Sequence, residues 1–252
     1  MREQRSTRLG STIHAYAVTA ADPNARVFRS YAPYAPLFAE GSLAVIADPR
    51  STRWLGDFNG PVNGEHVRDT MARAAGLSAP PRLRLGPEVR REAAIVLCPH
   101  AAERFKEWPE RYWSLLAEAL LGSGVPVIVL PAPGRDEMRW PSGVHERQVD
   151  LAGMSRVLST AVAMVGPDSG HIHLADAWET PVVGLYAATS AATYGPYNGA
   201  RHCVDRHREV YPARQPYDSS VHVHGTPMHA ISPDDALAAV NGALNKKSSP
   251  SP

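Results

Sequence analysis

The chain has 252 residues and a formal net charge of +1, long enough to bury a substantial core in one large or two small domains. That balance argues against a general nucleic-acid surface, no stretch approaches a membrane span, and the N-terminus has no apolar signal core. Two cysteines, Cys98 and Cys203, are too few for a disulfide framework, so a reducing cytoplasm is the simplest assignment.

In chain order, Met1–Thr7 (MREQRST) is too polar for the buried first strand of a parallel sheet. Arg8-Leu9-Gly10-Ser11 reads as a turn before a helix-like Thr12–Ala21. Ala94–Leu97 is a short apolar strand. Tyr112, Leu115, Leu116, Ala119 and Leu120 form a helical stripe that Gly122-Ser123-Gly124 ends. The β-branched run Val125–Leu130 is a strand. Val157–Val165 reads as a helix end feeding a buried strand, broken at Gly166-Pro167-Asp168-Ser169-Gly170. A helix through Leu174–Trp178 follows, Thr180-Pro181 stops it, and Val182–Tyr186 is a second buried strand. Strand, small-residue turn, helix and strand make a βαβ unit. Its turn points backbone N–H groups and a positive helix end at one spot, which favours a phosphate. His173 falls in that helix's first turn, within reach of the same anion. Ser232-Pro233-Asp234-Asp235 signals a terminal helix over Ala236–Leu244. Residues 247–252 are expected to be a disordered tail.

Several of these segments together resemble the heptosyltransferase family (glycosyltransferase family 9). The family's Asp-Ser/Thr-Gly-x-x-His stands here as Asp168-Ser169-Gly170-His171-Ile172-His173, followed by Thr180-Pro181-Val182-Val183-Gly184-Leu185-Tyr186. Thr189 and Tyr194-Gly195-Pro196-Tyr197 resemble its closing loop. Cys98-Pro99-His100-Ala101 through Lys106-Glu107-Trp108-Pro109 resembles its Pro-Gly-Ala-Ser…Lys-Arg-Trp-Pro stretch, with His100 for the usual glycine and Glu103 for the usual arginine. Pro133-Gly134-Arg135-Asp136-Glu137 resembles its Gly-x-x-x-Glu loop, and Asp150-Leu151-Ala152-Gly153 its Asp-Leu-x-Gly step.

The resemblance implies an α/β fold of two Rossmann-like lobes (GT-B type). Residues 1–85 would be a reduced N-terminal acceptor-side lobe and 86–246 a nucleotide-sugar donor lobe. It implies an inverting glycosyltransferase needing neither metal nor cofactor, moving a sugar, heptose on an ADP donor being favoured. The acceptor is open between a lipid-linked sugar, a small molecule and a protein. Donor binding would fall to Lys106, Arg104, Glu137, Asp168, Ser169, Gly170 and His173, with Asp136 the alternate to Glu137. Asp168 either holds the turn as a cap or accepts a bond from a sugar hydroxyl. Tyr194 and Tyr197, beside a Gly-Pro turn, are further ligand contacts, whereas Trp113, Trp178 and Tyr186 belong to packing.

In the N-terminal third, Val27-Phe28 matches the family's second strand, Tyr31–Glu40 the helix after it, and His66–Leu77 the lobe's last helix. One or two strand–helix units are then missing. Ser11 occupies the place of an aspartate that in the family looks like the general base, and a hydroxyl does not accept a proton near neutral pH unaided. His14, Asp48, Asp57 and His66 are the replacement candidates. The shortened lobe fits a start inside a longer gene, a compact enzyme, or a non-catalytic nucleotide-sugar-binding or scaffold protein; the compact enzyme is favoured, and a sugar-nucleotide epimerase is a third class. His202, Cys203, His207, His222, His224 and His229 include a His-x-His pair but no tight zinc spacing, so no metal is expected.

Overall fold

Among the described residues, two separate sheets account for the strands. The computed structural model describes residues 3–6, 8–22, 24–39, 43–50, 52–55, 65–77, 82–87, 91, 94–198, 202–212 and 226–245. The N-terminal layer runs β1 (Glu3–Ser6), α1 (Leu9–Ala21), β2 (Val27–Tyr31), β3 (Ala44–Asp48), β4 (Thr52–Leu55) and α2 (Val67–Ala74). Its sheet has the order β1-β4-β2-β3, with β2 and β3 parallel and β4 antiparallel to β1 and β2. This resolves the polarity of the N-terminus: β1 is an outer strand of an antiparallel pair, where polar sequence is tolerated. The helix expected over Tyr31–Glu40 is instead the end of β2 and a 3-10 turn over Ala32–Phe38. Pro33 and Pro36 each remove an amide donor, which an α-helix there would need.

The second sheet is all parallel: β5 (Ile95–Leu97), β6 (Val127–Val129), β7 (Val144–Glu146), β8 (Ala163–Pro167), β9 (Val182–Tyr186) and β10 (Val204–Asp205). Read from one edge it runs β7-β6-β5-β8-β9-β10, the doubly wound order in which the chain reverses direction between β5 and β8. The strands read as continuous apolar runs because both faces are covered. Ile95, Leu97, Val127, Val129 and Val165 face α3 (Glu110–Gly122) and α8 (Pro233–Asn245) in one core. Val96, Cys98, Ile128 and Met164 face the other way, sharing a core with α4 (Leu151–Thr160) and α5 (Gly170–Ala177). Asp150 caps α4, its Oδ1 accepting the Gly153 N–H at 2.7 Å.

That second core does not stop at the sheet's own helices. It continues into Ile13, Tyr16 and Val18 of α1, Phe28 of β2 and Phe38. Tyr16 stacks on Phe38 at 4.4 Å between ring centroids and meets Phe28 edge-on at 5.1 Å. Every residue from Thr12 to Val18 is buried, because α1 lies between its own sheet and α5. Thr12 Oγ1 meets Thr52 Oγ1 of β4 at 2.7 Å. Near residue 85, where the lobes were expected to divide, the Leu85 N–H donates to the Ala177 carbonyl at 3.0 Å.

Two glycines permit this approach. A Cβ on Gly10 would stand 2.6 Å from His173 Cδ2, and one on Gly170 would stand 2.9 Å from Leu9 Cβ. Both distances are below ordinary contact, so the first turns of α1 and α5 touch only because these side chains are absent.

Candidate functional site

Strand order reverses between β5 and β8, and the carboxyl ends of the strands at such a reversal are the usual ligand position in these sheets. The loop after β8 is Asp168-Ser169, and α5 begins at Gly170. Ser169 is the extended N-cap residue and makes no side-chain cap bond. Nor is Asp168 a cap: its Oδ2 accepts from Lys106 Nζ at 2.9 Å and from Thr189 Oγ1 at 3.0 Å. Lys106, which belongs to a 3-10 turn after β5, is thus aimed at the start of α5. Its Nζ also lies 3.2 Å from Glu103 Oε2, and Glu103 Oε1 lies 2.7 Å from Arg8 Nη2. Burial opposes charge on the Lys106 ammonium, but Asp168 and Glu103 outweigh it and hold the pKa above the ordinary lysine value. Lys106, Asp168, Ser169 and Gly170 are therefore brought together.

Beside them lies a cavity of about 370 Å³ lined by His100, Gly134, Arg135, Glu137, Met138 and Trp140, among others. Glu137, Asp136 and Arg135 come from the loop after β6. Glu107 stiffens the near wall, accepting the Ala101 N–H at 3.1 Å and pairing with Arg135 at 3.1 Å. His100 Nδ1 accepts the Ala132 N–H at 3.1 Å, which leaves the ring proton on Nε2. Arg104 is not part of the Lys106 cluster. Its exposed guanidinium pairs with Asp136 at 3.1 Å, a solvated contact between two loops.

His173 is also placed differently from the expectation. Its ring is only 5% exposed, wedged against Gly10 and 4.4 Å from the His14 ring. Burial lowers its pKa to about 3, with Asp168 working the other way and His66, Arg68 and Lys106 adding to the depression. The ring is neutral near pH 7 and adds no positive charge to the turn. Gly10, lacking a Cβ, is what draws it into the seam between α1 and α5.

The same seam holds two of the proposed bases. His14 is buried, its Nδ1 accepting from Arg68 Nε at 3.1 Å, and burial, His173, Arg68 and His66 push its pKa well below the ordinary value. His66 caps α2, its Nδ1 accepting the Arg68 N–H at 3.1 Å, while its Nε2 meets the Gly195 carbonyl at 2.9 Å. Asp48 pairs with Arg53 at 2.7 Å and accepts the Arg50 N–H at 2.9 Å. All three are committed to structural partners. Asp57 lies outside the described residues.

Sequence reasoning missed Arg68, which is fully buried. It also donates to Asn198 Oδ1 at 2.8 Å and lies 4.3 Å from the centre of the Tyr197 ring. The Tyr197 hydroxyl donates to Asp69, and buried Asp176 of α5 accepts the Tyr197 and Asn198 N–H groups. Tyr197 is therefore a strut from the closing loop to α2 rather than an open ligand contact. Its partners lie some 130 residues away in the chain, and no local pattern announces them. Trp113 and Tyr186 are core residues, while Trp178 Nε1 donates to Ser155 Oγ of α4 at 2.7 Å.

His222 and His224 lie outside the described residues. Among the described residues, no group of three or more His, Cys, Asp or Glu side chains is placed to hold a metal, and no helix is long and apolar enough to cross a membrane.

Comparison with known proteins bears on the family and the fold. The profile of glycosyltransferase family 9 (heptosyltransferase) matches residues 68–224. Lipopolysaccharide heptosyltransferase 1 of Escherichia coli K12 is 32% identical over 152 residues, covering 53% of this chain and 47% of its own. The Pseudomonas aeruginosa protein of the same description is 38% identical over 100 residues, 36% of this chain and 28% of its own. The matches thus span less than half the length of these relatives. Among solved structures, E. coli ADP-heptose heptosyltransferase II superposes with a TM-score of 0.65 at 14% identity, covering 96% of each chain. The iron-containing dodecameric glycosyltransferase TibC of enterotoxigenic E. coli gives 0.67 at 15% identity, over 96% of this chain and 75% of its own.

Proposed function

The chain belongs to glycosyltransferase family 9, the heptosyltransferases, and from that premise we propose that it transfers a sugar, heptose on an ADP donor, to an acceptor hydroxyl with inversion and without a metal. The observation that carries this is the convergence of Lys106 with the Ser169-Gly170 turn at the strand reversal, beside the cavity that Glu137 lines. The cavity takes the nucleoside, with the Glu137 carboxylate accepting from ribose hydroxyls. The diphosphate lies across the open end of α5, where backbone N–H groups and the helix dipole favour an anion. Fold relatives have been solved with ADP and with ADP-D-beta-D-heptose, which supports the choice of base and sugar.

Transfer requires that charge developing on the departing diphosphate be met by groups already in place. Lys106 is such a group, held at the turn by Asp168 and Glu103 before any ligand arrives. On binding, Lys106 turns to the diphosphate and Asp168 becomes available to a hydroxyl of the transferred sugar. We place the reaction in the cytoplasm, in keeping with a chain that has only two cysteines.

The test is a thermal-shift panel of ADP, UDP, GDP, CDP and dTDP on wild type and Lys106→Ala. Ligand at a hundred times its dissociation constant stabilises by about 2.7 kcal/mol, roughly 5–10 °C for a chain of this size. ADP should shift the wild type selectively and Lys106→Ala much less. No shift with any diphosphate would put the non-catalytic scaffold reading in its place.

A further inference from the structure

Transfer to a hydroxyl leaves one proton to place, and Ser11 does not accept it unaided. Asp48 is paired with Arg53, both ring nitrogens of His66 are engaged, and His14 is buried with one nitrogen on Arg68. Glu103 is situated differently. It stands at the N-terminal end of the 3-10 turn that carries Lys106. Its Oε1 lies 2.7 Å from Nη2 of Arg8, the residue at the N-cap of α1, three positions before Ser11. Its Oε2 is buried, receives no aligned hydrogen bond, and lies 3.2 Å from Lys106 Nζ. Lys106 in turn reaches Asp168 at the anion turn. One carboxylate thus links the N-cap residue of α1 to the lysine held at the start of α5.

We propose that Glu103 is the general base of the transfer, supplied across the seam in place of a carboxylate at Ser11; this rests on the donor site described above. The Glu103 carboxylate takes the acceptor hydroxyl proton as the oxygen lone pair forms the bond to the anomeric carbon. The bond from that carbon to the diphosphate oxygen breaks, and its electron pair leaves on the diphosphate. Before the donor binds, the carboxylate rests between Arg8 and Lys106. A bound diphosphate competes for Lys106, which leaves Oε2 open to the acceptor hydroxyl. The two exchanges noted in the sequence, serine at position 11 and glutamate at position 103, then form one compensating pair.

The experiment follows ADP release from ADP-heptose with water as acceptor, alongside the ADP-induced melting shift. The proteins are wild type, Glu103→Gln, Glu103→Asp, and Glu103→Gln combined with Ser11→Asp. The Gln variant should lose about 10²–10⁴-fold in kcat, the usual contribution of a general base, while most of the ADP shift is kept because Asp168 still holds Lys106 at the turn. Its pH–rate profile should lack the acidic limb, Glu103→Asp should keep part of the rate, and Ser11→Asp should restore at least about tenfold. A Gln variant within about threefold of wild type overturns the assignment. So does loss of the ADP shift in Glu103→Gln, which would make Glu103 structural. A wild type that binds ADP yet releases none from ADP-heptose overturns it as well. If wild type shows no ADP shift at all, the donor-site reading beneath it fails instead.

Discussion

The buried histidine seam makes stability depend on pH in a way one substitution can isolate. His173 has an ordinary value of 6.5 in the unfolded chain and about 3 in the fold. Between those values the unfolded state binds a proton that the native state refuses, so stability is complete above pH 6.5 and falls as pH drops toward 3. Each unit is worth about 1.4 kcal/mol. From pH 7.5 to 5.0, about one and a half units lie below 6.5, so His173 alone removes about 2 kcal/mol. For a chain of this length that lowers Tm by roughly 4–8 °C. His14 is shifted in the same direction and adds to the fall. Scanning calorimetry at pH 7.5 and 5.0 on wild type and His173→Gln measures the term directly. The variant should lose roughly 4–8 °C less than wild type over that interval. Histidines away from the seam titrate in both proteins and cancel, whereas His14, which His173 itself depresses, makes the difference a property of the pair. The carboxylates held low, Glu65 and Asp235, titrate below the interval. Parallel pH dependence in the two proteins would refute the claim that His173 is buried neutral in the seam.

Two further substitutions probe the same seam. Arg68→Ala removes the donors to His14 and Asn198 and should cost about 3–5 kcal/mol in urea unfolding; a loss under about 1 kcal/mol would show that the arginine is not a strut. Gly10→Ala would place a methyl 2.6 Å from His173 Cδ2 and should cost about 1–3 kcal/mol by overpacking. Adding His173→Ala relieves the clash, so the double mutant should be less destabilised than the two single costs summed; strict additivity would disprove the contact.

Elements whose determinants are local were readable in the chain. The strand–turn–helix–strand run from Ala163 to Tyr186 and the capped helices after Asp150 and Ser232 lie where the sequence placed them. So does the juxtaposition of Lys106 with the turn at Asp168. The N-terminal sheet was not readable, because its order joins strands by pairing that no periodicity records: β4 inserts between β1 and β2. Position along a helix also misled for His173. Being in the first turn of α5 places its backbone at the open end of that helix, but the ring packs where Gly10, some 160 residues earlier, leaves room for it. Arg68 escaped notice and Tyr197 was read as a ligand contact for the same reason, since each is defined by a partner brought in by the fold.

The interior shared by α1 and α5 bears on how such a chain can be divided and recombined. A fragment beginning near residue 86 would carry α5 with Ile172 and Leu174 stripped of their cover, and a fragment ending there would leave Ile13 and Val18 bare. Each piece would expose apolar surface that the whole chain covers. A chimera that trades the first 85 residues for those of a relative must bring the matching α5 surface with them, so the smallest exchangeable cassette is the helix pair rather than either half.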